Sequence, residues 1–375
     1  MCSRLILTAV CILAWPWPAF AWHKDGHAAI GRIAWEQLKT DDPASLVVLT
    51  NILKAHPHYE VFLSVNPPDG IEVDAWAFAQ AATWPDWVRD PKAQTPTLTA
   101  KESKAIKDKY HKRLWHFINL PLAHPLDQEF YTDAKLAEIR KSALEPELDA
   151  DSQPRHAIAA LKQSLATLKS ADAMDKDKAV ALCWILHLVG DLHQPLHASG
   201  LMARKSSLPA TKFADLTDFD PPEGDAGGNR LAIKLHEKNK NAEVLHAYWD
   251  ALVFKDAPKF ANVEATLQKL WRKEFPRDGL PEAANKDFLA WADESLELAK
   301  TVVYRKDGTA DSDFLDATPL PAGLSQDALN QALKDLTAPT LSPTYQDNAT
   351  KTAKKRMALA SYRLADQLRT AVGKS

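Results

Sequence analysis

Glycine is scarce in this chain, 12 in 375 residues; no Asn-Gly pair occurs, and none of the four Asp-Gly pairs is flanked on both sides by the alternating apolar runs of a tight hairpin. A sequence without those signals does not read as a sandwich or barrel, so an all-α fold is expected. Cysteine is rarer still. Of the three, Cys2 and Cys11 fall in the opening apolar stretch, which leaves Cys183 alone and excludes an intramolecular disulfide in the remainder. Rigidity must then come from elsewhere, and bound metal ions could supply it. Charge of one sign is missing too: 46 basic and 49 acidic side chains give −3. This balance rules out a generic basic surface that binds nucleic acid by charge alone, so any such role must be local chemistry at a site. Beyond the opening stretch no run of eighteen apolar residues occurs, so no membrane anchor is expected. There is no internal repeat, no heptad run and no low-complexity tract.

The opening residues, MCSRLILTAVCILAWPWPAFA, combine one positive charge at Arg4, an apolar run and the small-x-small site Ala19-Phe20-Ala21. That is the pattern of a secretory signal peptide over residues 1–21, which predicts export to a periplasm or the medium. Cleavage would make Trp22 the first residue of a single domain over 22–375. A free α-amine near pKa 8 can lose its proton and bind a metal together with its own carbonyl oxygen. His27 follows closely in Trp-His-Lys-Asp-Gly-His.

Helical periodicity dominates the rest. Ile30, Ile33, Ala34 and Leu38 mark one helix, and a second begins at Pro43 with Leu46, Leu49, Ile52 and Leu53 on one face. Ile158 to Leu168 and Ala179 to Leu192 mark two more, the latter apolar enough to be buried. Further helices are predicted at about 241–255, 260–274, 283–304 and 346–372. The best strand candidate is Asn229 to Leu235, a possible short hairpin near 229–236. Residues 198–226 and 305–344 read as surface loop excursions, the second broken by a short helix near 325–336.

Chemistry concentrates in His187-Leu-Val-Gly-Asp191-Leu-His-Gln-Pro-Leu-His197. Four residues apart on a helix, His187 and Asp191 share a face. Pro195 disfavours helical geometry at Gln194, so the chain should turn and return His197 towards Asp191. Neutral imidazoles and carboxylates are zinc ligands, and one carboxylate can bridge two metals. His246-Ala-Tyr-Trp-Asp250 repeats the i,i+4 pairing. Either pair alone reads equally as a surface pair; two of them in apolar surroundings point to metal. Asp86 in Thr-Trp-Pro-Asp-Trp-Val-Arg and His116 in Leu-Trp-His-Phe-Ile-Asn are polar groups among large apolar neighbours. Such groups are hydrogen-bonded in a core or bound to metal.

These segments, in this order, resemble the zinc-dependent, single-strand-specific nuclease family of secreted fungal enzymes and plant bifunctional nucleases. The resemblance runs through WHKDGH, TWPDWVR, LWHFIN, HLVGDLHQPLH, GGN at Gly227 to Asn229, and LHAYWD. Weaker echoes follow in WADES near Trp291 and SYRLADQL near Tyr362. It implies the fold of the phospholipase C and nuclease superfamily and a site of three zinc ions (Zn2+). Asp86, His116 and His187 would hold one and the Trp22 amine and carbonyl with His27 a second, Asp191 bridging the two. His197, His246 and Asp250 would hold the third. The resemblance further gives Asp86 the role of orienting the attacking water and Arg89 that of neutralising charge on the phosphate. Phe117 matches the family's base-stacking residue, while Asn119 and Asn229 lie at the same nucleotide-binding edge. The implied activity is endonucleolytic hydrolysis of single-stranded DNA or RNA to 5′-phosphate products, with 3′-nucleotidase activity on nucleotides. No protein partner is implied, and the chain reads as a monomer.

Three departures from the family stand out, one of them the absence of the fungal disulfides. Asn119 replaces an acidic base-reading residue of the fungal members, so their base preference does not transfer. The stretch between His197 and Gly227 is long, and an overhang there would gate substrate length. A zinc phospholipase C shares the implied fold and metals, but the WHKDGH start, the single GGN and Phe117 favour the nuclease. A non-catalytic zinc-binding protein would keep the ligands but could lose Arg89 or the open third site, and both are intact. His193 is read as facing solvent or supporting the ligands, and His23, His56, His58, His111, His124, His156 and His236 are left out of the site. The run Lys101 to Arg113 is a charged helix, either a solvated face or a basic strip leading to His116. Trp35, Trp84, Trp115 and Trp184 are assigned to the core.

Overall fold

A computed structural model describes residues 22–254 and 273–373. The leader at 1–21 and all but the last two residues of the helix expected at 260–274 lie outside the described residues. In chain order the α-helices are α1 (Lys24–Asp41), α2 (Pro43–Lys54), α3 (Val73–Trp87), α4 (Pro91–Gln94), α5 (Ala100–Tyr110) and α6 (Asp133–Leu144). They continue with α7 (Ala157–Lys169), α8 (Asp175–Leu192), α9 (Leu245–Ala251), α10 (Phe288–Leu298), α11 (Gln326–Leu333) and α12 (Pro343–Val372). None of the helices among the described residues is long and apolar enough to cross a membrane.

Local chemistry sets the helix starts. At α2, Asp42 accepts from Ser45 N–H while Pro43 occupies the first turn, where its missing donor costs nothing. Thr99 and Glu102 form a reciprocal capping box at α5. α8 is the central element: from Ala181 to Leu192 every residue is buried, and it packs against α7, α3 and α2. Packed on all sides, it shows no apolar stripe, only an apolar run interrupted by His187 and Asp191. α3 meets α1 where Gly31 faces Ala79 and Ala82, small residues that let the two axes approach closely. Trp35, Trp84, Trp115 and Trp184 are all core residues, as expected.

Few strands are present, and they are short. β1 (Leu120–Ala123) runs parallel to β2 (Ser199–Met202), with Leu120 opposite Ser199 and Ala123 opposite Met202. Just before this ladder, Ile118 N–H donates to the His197 carbonyl at 2.8 Å, which ties the segment of His116 to that of His197. The expected strand near 229–236 exists as β3 (Leu231–Ile233). It is the middle of an antiparallel sheet with β4 (Glu243–Val244) and β5 (Thr318–Pro319).

Two helices and both loops differ from the sequence reading. The helix expected at 241–255 is confined to α9, because Glu243 and Val244 are used by the sheet. The helix expected from 283 begins at Phe288 and ends in a π turn, Ala299–Val303. Neither loop is a surface excursion throughout. Ser199, Leu201, Met202, Ala203, Leu216, Phe219 and Asp225 are buried in the first. In the second, Leu320, Leu329 and Leu336 form a small core with Ala232, Ala242 and Val244. Apolar residues scattered without period conceal such burial from a periodicity argument.

Candidate metal centre

Among the described residues, three groups of buried imidazoles and carboxylates bring their ligand atoms within 4.8 Å of one another. They are His27, His187 and Asp191; Asp86, His116 and His187; and His197, His246 and Asp250. Every side chain expected to bind metal is thus brought together. Trp22, expected to bind through its amine and carbonyl, is buried, and its indole N–H donates to the Gly190 carbonyl at 2.9 Å. The next residue, His23, donates its backbone N–H to the Asp250 carbonyl at 2.9 Å. His23 itself pairs with Asp25 at 3.4 Å and stays outside the clusters.

Asp191 lies at the centre. Its Oδ1 is 3.3 Å from His27 Nε2 and 3.7 Å from His197 Nδ1; its Oδ2 is 3.2 Å from His187 Nε2 and 3.4 Å from His116 Nδ1. Two ligands of one tetrahedral zinc stand about 3.3 Å apart when each bond is near 2.0 Å, so several of these spacings suit a shared ion. His27 approaches α8 only because residue 190 is glycine: a Cβ there would meet His27 Nδ1 at 2.9 Å. The rings of His27 and His187 consequently stack at 3.8 Å.

Backbone carbonyls aim three of the imidazoles. Nδ1–H donates to the Ala82 carbonyl from His187 (2.8 Å), to the His116 carbonyl from His197 (2.8 Å) and to the Gly227 carbonyl from His246 (2.6 Å). With Nδ1 protonated, each Nε2 carries the lone pair a metal requires. The Gly227 carbonyl is available because Ala226, Gly227 and Gly228 take positive φ, and a Cβ on Gly227 would strike the Leu196 carbonyl at 2.1 Å. Asp225 braces this turn by accepting from the N–H groups of Leu201 and Gly228 and from the Tyr304 hydroxyl.

The donor set passes a test of fit. His27 Nδ1 and Nε2, Asp86 Oδ1, His116 Nε2, both Asp191 oxygens, His197 Nε2 and Asp250 Oδ2 are buried without a hydrogen bond. Such a concentration of unsatisfied polar atoms would be costly unless cations satisfied it. The charges already lean that way. Burial opposes ionisation of Asp191, yet His187 and His197 hold its carboxyl well below the usual range. Burial likewise opposes charge on His197, but Asp191 and Asp250 outweigh it and lift the imidazole to about 9. His116 is pushed down to about 3, first by burial and then by Arg89. Asp86 also stays below its ordinary value: Arg89, 3.4 Å away, overcomes the cost of burial.

The remaining expected residues line the edge. Arg89 keeps Nε and Nη1 without a hydrogen bond beside Asp86. Phe117 and Asn119 are half-buried directly after His116. Asn229 is buried, and its side-chain amide donates to the Ala226 carbonyl at 2.9 Å, so it braces the turn that holds His246.

Of the two roles expected for His193, facing solvent is excluded. The side chain is fully buried, donates Nδ1–H to the Val189 carbonyl and accepts at Nε2 from Arg363 at 2.9 Å. Arg363 and Arg356 both pair with Glu294 at 2.7 Å, Arg356 donates to the His193 carbonyl, and Ser295 donates to the Leu192 carbonyl. The segments WADES and SYRLADQL thus meet at the C-terminus of α8, where the Ser295 hydroxyl and the Arg356 guanidinium satisfy the Leu192 and His193 carbonyls.

The S1/P1 nuclease family model matches residues 22–373, from Trp22 through the whole of α12. This chain belongs to that family. Over 158 residues it is 27% identical to Endonuclease 4 of Arabidopsis thaliana, covering 37% of this chain and 44% of that protein. Endonuclease 3 of the same plant is 26% identical over 157 residues, 38% of this chain and 44% of the relative. The matched segment therefore spans less than half the length of either curated relative.

Proposed function

We propose that this chain is a zinc-dependent endonuclease that hydrolyses single-stranded DNA or RNA to 5′-phosphate products, with 3′-nucleotidase activity at the same centre. The observation that carries the reading is Asp191, a buried carboxylate facing four imidazoles with no hydrogen bond of its own. In this reading Asp86, His116 and His187 hold one zinc, and His27 with the Trp22 amine and carbonyl a second, bridged by Asp191. His197, His246 and Asp250 hold the third. Zinc, when bound, supplies Lewis acidity and makes water acidic enough to ionise near neutral pH.

The side chains do the rest. Asp86, kept ionised beside Arg89, has an oxygen available to orient the attacking water. The water oxygen bonds to phosphorus as the bond to the 3′ oxygen breaks, leaving a 5′-phosphate and a 3′-hydroxyl. Negative charge rises on the non-bridging oxygens, and Arg89, ion-paired with Asp86 but with donors that make no hydrogen bond, can meet it. Phe117 offers a ring for one base, which must be unpaired to stack there, so duplexes are poor substrates. Asn119 presents an amide, both donor and acceptor, where a carboxylate would accept only. Export through residues 1–21 belongs to the same proposal, because only cleavage after Ala21 frees the Trp22 amine.

The test is hydrolysis of a single-stranded oligonucleotide and of its duplex by protein beginning at Trp22, with chelator and then with zinc restored. Chelator-sensitive, strand-selective release of 5′-phosphorylated fragments is expected. A zinc-loaded protein that leaves the strand intact but cleaves phospholipid headgroups would overturn the nuclease reading and leave the metal clusters standing.

A further inference from the structure

The charged run from Lys101 to Arg113 is not absorbed by the metal chemistry, and its arrangement is informative. α5 buries none of its residues, so it lies on the surface as an exposed helix leading straight into the turn Arg113–His116. Its two carboxylates are engaged locally: Glu102 closes the capping box with Thr99, and Asp108 pairs with Lys104 at 2.5 Å. No carboxylate among the described residues pairs with Lys101 or Lys107. Arg113, at the end of the run, places its guanidinium 5.7 Å from the centre of the Phe117 ring. Its acidic neighbour comes from another segment: Glu223 approaches at 3.5 Å, both side chains being exposed.

Glu223 is held in place by its backbone. Its carbonyl accepts from Ala226 N–H at 2.7 Å, and Gly224 N–H donates to the Asp220 carbonyl at 3.0 Å. The Glu223 carbonyl also crowds Gly200, on the side that Asn119 approaches. Phe117, Asn119, Arg113 and Glu223 therefore share one rim. His111 stands at the C-terminal cap of α5, its backbone N–H donating to the Lys107 carbonyl. It is held neutral at about 4, first by burial and then by the charges of Arg89 and Lys107, with Arg113 adding to them. The positive charges thus continue from Arg89 outwards along α5.

We propose that Arg113 and Lys107 form a phosphate track for the strand beyond the cleaved bond, and that Glu223 is a built-in counter-ion which an incoming phosphate displaces. This rests on the nuclease reading above and adds to it a determinant of substrate length. An exposed ion pair at such a distance is weak, so exchange of a carboxylate for a phosphate costs little. The stretch 198–226 acts here through one charge, as a competitor for Arg113, and not as a lid.

The experiment compares KM for a homopolymeric single strand and for a dinucleotide across a range of salt, with the full zinc-loaded protein. Wild type is set against Arg113→Gln, Lys107→Gln and Glu223→Gln. Arg113→Gln and Lys107→Gln should each raise the long-strand KM by about threefold to tenfold, well beyond any rise for the dinucleotide. Each should also flatten the logarithmic salt dependence by about 0.7 for every phosphate that is no longer neutralised. Glu223→Gln should lower the long-strand KM by about twofold to fivefold, a gain that damaged folding cannot produce. Equal shifts for both substrates, or a higher long-strand KM in Glu223→Gln, would overturn the track. A wild-type protein that cleaves no strand removes the nuclease reading and the track together; one that cleaves while the variants show no length dependence removes the track alone.

Discussion

Asp191→Asn and Asp250→Asn are equally conservative on paper and should differ sharply. Both carboxylates are buried and each stands four residues from a histidine on its own helix. Asp191 directs one oxygen to His27 and His197 and the other to His187 and His116. In Asp250 one oxygen already accepts from the Gln194 amide at 2.7 Å, and the other lies 3.3 Å from His246 Nε2. An amide keeps one oxygen and turns an N–H₂ donor on whatever faced the second. At Asp191 that donor meets lone-pair nitrogens of the paired clusters, so the bridge is lost for both ions. At Asp250 only one cluster is affected. Apparent zinc binding of about 12 kcal/mol shared among four ligands assigns about 3 kcal/mol to each, or at least a hundredfold in affinity. After dialysis against a weak chelator, Asp191→Asn should therefore retain about one zinc per chain and Asp250→Asn about two. Elemental analysis of the folded proteins, checked by circular dichroism, reads the result directly. Equal zinc content in the two variants would refute the bridging role.

Three further outcomes are expected. Protein carrying extra residues before Trp22 should lose one zinc and most of its activity, because its amine is then an amide; an extended protein with full metal content and turnover would remove Trp22 from the site. Glu294→Ala leaves Arg356 and Arg363 facing each other inside the protein and should cost about 3 kcal/mol in urea unfolding; a loss below about 0.5 kcal/mol would show that the cluster does not support α8. The third concerns pH. Burial lifts the Asp225 carboxyl to about 6, although the Tyr304 hydroxyl and two backbone N–H groups pull the other way. A raised carboxyl favours the folded state when protonated, so its contribution is complete below the unfolded value of about 4 and is lost as pH rises through 6. Asp225→Asn lacks that titration, and its deficit against wild type should shrink by about 1 kcal/mol between pH 5 and pH 7. A deficit that grows with pH would reverse the sign of the argument.

What sequence exposed and what it hid follow from range. His187 with Asp191, and His246 with Asp250, are legible because helical geometry makes residues four apart neighbours. Pro195 likewise announces the turn that returns His197 to Asp191. Asp86 and His116 carry no such local logic and are recognisable only through resemblance to known enzymes. The parallel pairing of Leu120–Ala123 with Ser199–Met202 joins segments far apart in the chain. One contains proline and the other glycine, so neither alternates as a strand should. His193 shows a different failure. It points away from the ligand face of α8, but a central helix has no solvent face, and the opposite side is filled by Glu294, Arg356 and Arg363. Their ion pairs span more than sixty residues, beyond any spacing rule.

The anchoring of His187, His197 and His246 bears on how this centre can change over time. Their acceptors are the carbonyls of Ala82, His116 and Gly227, atoms every amino acid possesses. A site propped by carboxylates would be recorded in its genes as fixed acidic codons around the ligands. Here the supports are encoded by chain path alone. At position 82 any side chain small enough for the crossing with α1 leaves the acceptor intact, whereas position 227 is restricted by its backbone angle. One anchor belongs to another of the clusters, since the His116 carbonyl holds His197. A displacement of the backbone at one cluster is thereby transmitted to the next, and the centres are mechanically a single part.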